Sequence, residues 1–139
     1  MQGSGEVEIE ALKADSFGRI ALLAHESFHR LQPALHLDGV DAMNPQLDER
    51  VGRFWLRLEL RALAAALTTH GAQSRSAAHD ALLFRTARNA RYPGSDTLEA
   101  ALERQEGLAE YTGDRIAMLA TGATAARVAQ DLRQFESRP

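Results

Sequence analysis

Proline and glycine breakers divide this chain into segments long enough for helices, and almost nothing between them is patterned as a strand. Asp15 or Ser16 can cap a first helix that runs to about Gln32 and stops at Pro33. Residues 34–43 read as a loop with turn chemistry at Asp38-Gly39. Asn44-Pro45 suits a helix start, and the spacing predicts a second helix to about His70, closed by Gly71. A third helix covers about 75–91, before Tyr92-Pro93-Gly94. The fourth starts at Ser95 or Asp96, with Glu99 placed to complete a capping box on Asp96, and runs to about Ala120 before Gly122. Thr124 caps a last helix to about Glu136. Only "VEIEAL" (7–12) alternates enough for a short N-terminal strand. The expectation is an all-α domain of about five helices spanning 1–139, without internal repeats or linkers.

Composition narrows the function classes. A chain of 139 residues can bury a core, and its 45% hydrophobic and 25% charged content is that of a soluble globular protein. A net charge of −3, with arginines dispersed among acids, leaves no basic footprint for nucleic acid. No apolar run approaches the length of a membrane span. The absence of cysteine removes disulfides, thiolate-bound zinc and thiol catalysis together. "MQGSGEVEIE" has neither the basic nor the apolar region of a signal peptide. The chain therefore suits the cytoplasm or, as the C-terminal part of a longer secreted precursor, the periplasm. Oligomeric state has no signature in these residues.

The stretch with the most chemistry is "LLAHESFHRLQ" (22–32). His25 and His29 stand i and i+4 on one helix face and can direct two imidazoles at one metal. Glu26, about a quarter turn round, stays off the metal but near a water on it. This is the H-E-x-x-H arrangement of zinc hydrolases: two nitrogen ligands, a third from elsewhere and an open position. Zinc lowers the pKa of the water, and the carboxylate takes its proton as it attacks a carbonyl. The same helix carries an apolar stripe of Ile20, Ala24, Phe28 and Leu31.

A third ligand has a candidate in "RQEGLAEYTGDR" (104–115), where Glu106 and Glu110 are again i and i+4. They border a stripe of Leu98, Leu102, Ala109 and Ile116, and Gly107 and Gly113 suggest close approach of another backbone. With His25-Glu26-x-x-His29, the segment Glu106-Gly107-Leu108-Ala109-Glu110-Tyr111 resembles the gluzincins, zinc peptidases whose third ligand is a glutamate on a second helix. The region 44–67 after "HESFHRLQ" is also similar to uncharacterised bacterial proteins described as zinc peptidases. The resemblance implies a zincin-like helix pair holding one Zn2+ per chain through His25, His29 and Glu106, with Glu26 as general base. Glu110 would accept the N–H of a ligating histidine, His25 by preference, and the roles of Glu106 and Glu110 are exchangeable. The implied activity is peptide hydrolysis, with a peptide or protein as substrate. The chain departs from the family at Gln105, where the zinc aminopeptidases carry Asn, and in the 76 residues between His29 and Glu106. A sheet over the active-site helix is also nearly absent from the pattern.

Peptide hydrolysis needs an oxyanion donor, for which Tyr111, Tyr92 and His79 are candidates. Ordinary packing or capping explains each of them as well. The competing function is a non-catalytic helical interaction or scaffold domain whose metal is structural or lost. It predicts a fourth protein ligand such as His36, His70 or His79, or a metal-free cluster of the histidines with Glu106 and Glu110. Phe54, Leu58 and Trp55 read as core, and Arg53, Arg57 and Arg61 with Glu49 and Glu59 as a solvated, salt-bridged face.

Overall fold

The computed structural model describes residues 15–37, 39 and 43–137. The elements are α1 (Ser16–Leu31), α2 (Arg50–Thr68), α3 (Gly71–Arg91), α4 (Ser95–Leu102), α5 (Leu108–Thr121) and α6 (Ala125–Ser137). Short 3-10 turns lie at Pro33–Leu35 and Pro45–Leu47, and a π-turn at Glu103–Gly107 runs directly from α4 into α5. Counting α4, the π-turn and α5 as one helix gives five, and the described residues contain no strand. The all-α expectation holds. The strand expected at 7–12 falls outside the described residues. No helix among them is long and apolar enough to cross a membrane.

Two compact units make up the chain: Met1–Val40 with Leu102–Ala123, and Asp41–Ala101 with Thr124–Pro139. In the first, α1 packs along α5. The face α5 buries is Ala109, Gly113 and Ala117, at i, i+4 and i+8. It is not the larger stripe read from the sequence, since Ile116 and, on α1, Leu31 are exposed. Small residues win because they let two backbones close together. A Cβ on Gly113 would lie 2.5 Å from the carbonyl oxygen of Ala21. Gly107 has no such role, because a Cβ there would meet only the Glu103 side chain, at an ordinary 3.6 Å or more. On the opposite element, Phe17 is the large apolar side chain that α1 buries.

In the second unit α2 packs against both α3 and α6. Its start is later than the Asn44-Pro45 signal suggests. Those residues form a 3-10 turn, and α2 begins at Arg50. Gly52 then lies so close to the Gln46 carbonyl that a Cβ on it would overlap that oxygen. At the other end His70 is the N-cap of α3, and Gly71 opens that helix instead of closing α2. Trp55 is half-buried between Phe54 and Phe84, with ring centroids 5.6 and 6.2 Å away, but Phe54 itself is exposed and not core.

The interior of this unit is charged. Arg88, 2% exposed, grips Glu99 with a fork: Nε donates to Oε1 at 2.8 Å and Nη2 to Oε2 at 2.7 Å. Its Nη1 lies 2.7 Å from Glu59 Oε2, as an ion pair off the hydrogen-bonding direction. Arg85 reaches the other Glu59 oxygen, its Nε donating at 2.8 Å, and Gln46 Nε2 donates to Glu99 Oε1 at 3.1 Å. Burial alone would raise the Glu99 carboxyl, but the Arg88 guanidinium and the Gln46 amide hold it below its ordinary value. Glu59 is thus buried, at 3% exposure, and does not belong to the solvated face expected for it. Glu99 likewise does not cap Asp96, because its carboxylate is committed to Arg88.

Candidate metal centre

The site lies wholly within the first unit, on α1 and on the helix carrying the π-turn. His25 and His29, one turn apart on α1, turn their Nε2 atoms to within 3.0 Å of each other. Glu106, in the π-turn, brings Oε2 to 3.4 Å from His25 Nε2 and 3.5 Å from His29 Nε2. These three are the one group of potential metal ligands that converges among the described residues.

The outer nitrogens decide what the inner ones can do. His25 Nδ1 lies 3.2 Å from Glu110 Oε2, an oxygen that only accepts, so Nδ1 carries the proton and donates it. His29 Nδ1 lies 2.7 Å from Gln32 Oε1. The Gln32 amide nitrogen donates to the carbonyls of Arg104 and Gln105, each at 3.0 Å, so its oxygen must face His29 and accept. Both Nδ1 atoms being protonated, two Nε2 lone pairs and a carboxylate oxygen point into one small volume. Three Lewis bases at such distances repel unless a cation joins them. Four ligands tetrahedral about a metal at 2.0–2.1 Å stand ~3.3 Å apart, which the three observed separations bracket. Two imidazoles and one carboxylate suit zinc and its first-row neighbours better than magnesium or calcium.

A cleft of about 370 Å³ opens onto the group, lined by His25, Leu102, Glu103, Glu106, Gly107 and Glu110. The histidine side chains are 16% and 22% exposed, so water can reach the centre. Glu26 is exposed on α1 directly after His25, but is not part of the cleft wall. Tyr111 is exposed and likewise outside that wall. Tyr92 and His79 belong to the second unit, where the Tyr92 hydroxyl donates to Glu49 Oε2 at 2.9 Å. His36 and His70 do not join the ligand group, so no fourth protein ligand closes it among the described residues.

Two participants escaped the sequence reading. Glu103 lines the cleft. Gln32 stands i+7 from His25 and i+3 from His29, a spacing that continues the histidine face and was its legible signal. The π-turn itself has no sequence signature, although such single turns recur at functional sites. Against known proteins, no family model, no curated protein and no solved structure matches this chain.

Proposed function

We propose that the chain is a zinc-dependent hydrolase, most specifically a peptidase, with His25, His29 and Glu106 as the ligands of one Zn2+. The observation that carries the reading is the convergence of two imidazole Nε2 atoms and a carboxylate oxygen, with both Nδ1 atoms already paired. The open fourth side, facing the cleft, favours a catalytic over a structural centre. When bound, zinc supplies Lewis acidity toward a water and toward the oxygen of a substrate carbonyl.

The remaining roles fall to the chain. Glu110 holds the His25 proton on Nδ1 and keeps its imidazole oriented. Glu26, solvent-exposed and adjacent to His25, is the general base that accepts a proton from the attacking water and passes it to the leaving amine. The cleft between His25 and the Glu103–Glu110 segment receives the peptide.

One observation favours the non-catalytic alternative. The 3.0 Å between the two Nε2 atoms is also the length of an N–H···N hydrogen bond, and Glu106 and Glu110 would balance a proton shared there. A helical interaction domain would use that cluster as packing. Elemental analysis of protein purified without a polyhistidine tag separates the two. One zinc per chain, lost in His25→Ala and Glu106→Ala, supports the metal centre. Peptide hydrolysis abolished by Glu26→Gln with zinc retained supports the peptidase. No zinc uptake at micromolar metal overturns the metal centre and the peptidase together and leaves the helical interaction domain.

A further inference from the structure

Gln32 is 1% exposed, the kind of burial that an uncharged amide tolerates only when its donors and acceptor are all used. They are. Both amide hydrogens go to the carbonyls of Arg104 and Gln105, and the oxygen accepts from His29 Nδ1. The two carbonyls belong to the π-turn. There the ladder runs i to i+5, as Leu108 N donating to Glu103 O shows. Returning to i+4 pairing leaves a carbonyl short of an N–H, and such a group needs a donor from outside the helix. Gln32 provides it from the C-terminal end of α1. Nearby, Gln105 Oε1 accepts from Gly39 N at 2.9 Å, which ties the same turn to the chain beyond α1.

We infer that Gln32 is a positioning residue of the metal centre, acting through two handles. Its oxygen keeps the His29 proton on Nδ1, so that Nε2 presents a lone pair to the metal. Its nitrogen pins the π-turn at Arg104 and Gln105, and so places the Glu106 carboxylate opposite the two imidazoles. One buried amide thereby couples the two halves of a ligand set separated by 76 residues. The inference rests on the reading of His25, His29 and Glu106 as a metal site. Its first handle concerns the metal-free protein as well, because His29 Nδ1 is protonated whether Nε2 is empty or shares a proton with His25.

The test uses the full chain in three forms: wild type, Gln32→Met and Gln32→Glu. Long-range 1H–15N correlation of the histidine rings in metal-free protein reports the His29 tautomer. Competition with a chromophoric chelator reports the Zn2+ Kd, and far-UV circular dichroism checks folding. Wild type is expected to show His29 protonated at Nδ1. Gln32→Met, which loses both handles, should move the proton toward Nε2 and weaken zinc about 10- to 100-fold. Gln32→Glu keeps an acceptor for His29 but sets a carboxylate against two carbonyls, so the tautomer should persist while zinc binding still weakens.

A wild-type His29 that carries its proton on Nε2 and none on Nδ1, or an unchanged tautomer in Gln32→Met, overturns the first handle. Wild-type zinc affinity in Gln32→Glu overturns the second. If Gln32→Met fails to fold, the wild-type tautomer and the Gln32→Glu variant carry the decision. A wild type that shows the expected tautomer but takes up no zinc refutes the metal reading alone and leaves the orienting contact standing.

Discussion

Gly113→Ala tests whether α1 and α5 approach as closely as the proposed metal centre requires. Two opposing effects set its sign. In an exposed helix the change would stabilise by about 1 kcal/mol, because alanine surpasses glycine as a helix former. At position 113 the new Cβ would lie 2.5 Å from Ala21 O, 3.2 Å from Ala21 C and 3.5 Å from its Cα. The closest of these is short of ordinary contact by roughly 1 Å. The obstacle is backbone, which has no rotamer to escape into, so the helices must part. Overpacking of this kind costs about 1–3 kcal/mol, and near its upper end the net loss is about 2 kcal/mol after the propensity gain. The same displacement draws His25 away from Glu110 and Glu106, so zinc affinity should fall with stability. Gly107→Ala is the matched control. Its Cβ meets only the Glu103 side chain, no nearer than 3.6 Å, and the variant should be neutral or stabilised. Urea denaturation of both variants, with the Zn2+ Kd of each, decides the matter. A Gly113→Ala protein as stable as Gly107→Ala would show that the close approach is absent and would remove the basis for the site geometry.

The buried Arg88 offers a second test. Arg88→Met leaves Glu59 and Glu99 without their shared cation and should cost about 3–5 kcal/mol in chemical denaturation. Replacing Glu59, Arg88 and Glu99 together by apolar residues should cost far less, since Arg85 reaches solvent. The Glu99 carboxyl, held below its ordinary value when folded, contributes stability in full above the unfolded value of about 4.3. That contribution is lost as pH falls from there through the lower folded value, so Glu99→Gln should flatten this part of an acid unfolding curve followed by circular dichroism. Zinc at a hundred times its Kd should stabilise the wild type by about 2.7 kcal/mol, with reversal by a chelator and no shift in His25→Ala.

The division between sequence and tertiary structure follows the range of the forces involved. Breakers and caps act within a few residues, so Pro33, Tyr92-Pro93-Gly94 and Gly122 marked helix ends that the structure keeps. The i, i+4 spacing of His25 and His29, and of Glu106 and Glu110, is equally local, and it was enough to nominate the residues that meet. Helix starts were less legible where a 3-10 turn competes with the α-helix, as at Asn44-Pro45. Burial was misjudged where the pattern of size and charge points the wrong way. Large Ile116 is exposed while Gly113 is buried, because the decisive quantity is how near another backbone comes. Glu59, Arg88 and Glu99 are buried because each neutralises another from a different helix, a pairing no single helix face displays. The sequence by itself determined an all-helical chain and named its candidate ligands. The tertiary structure alone decided that a π-turn, pinned by Gln32, brings Glu106 to the histidines, because that contact joins residues more than seventy positions apart.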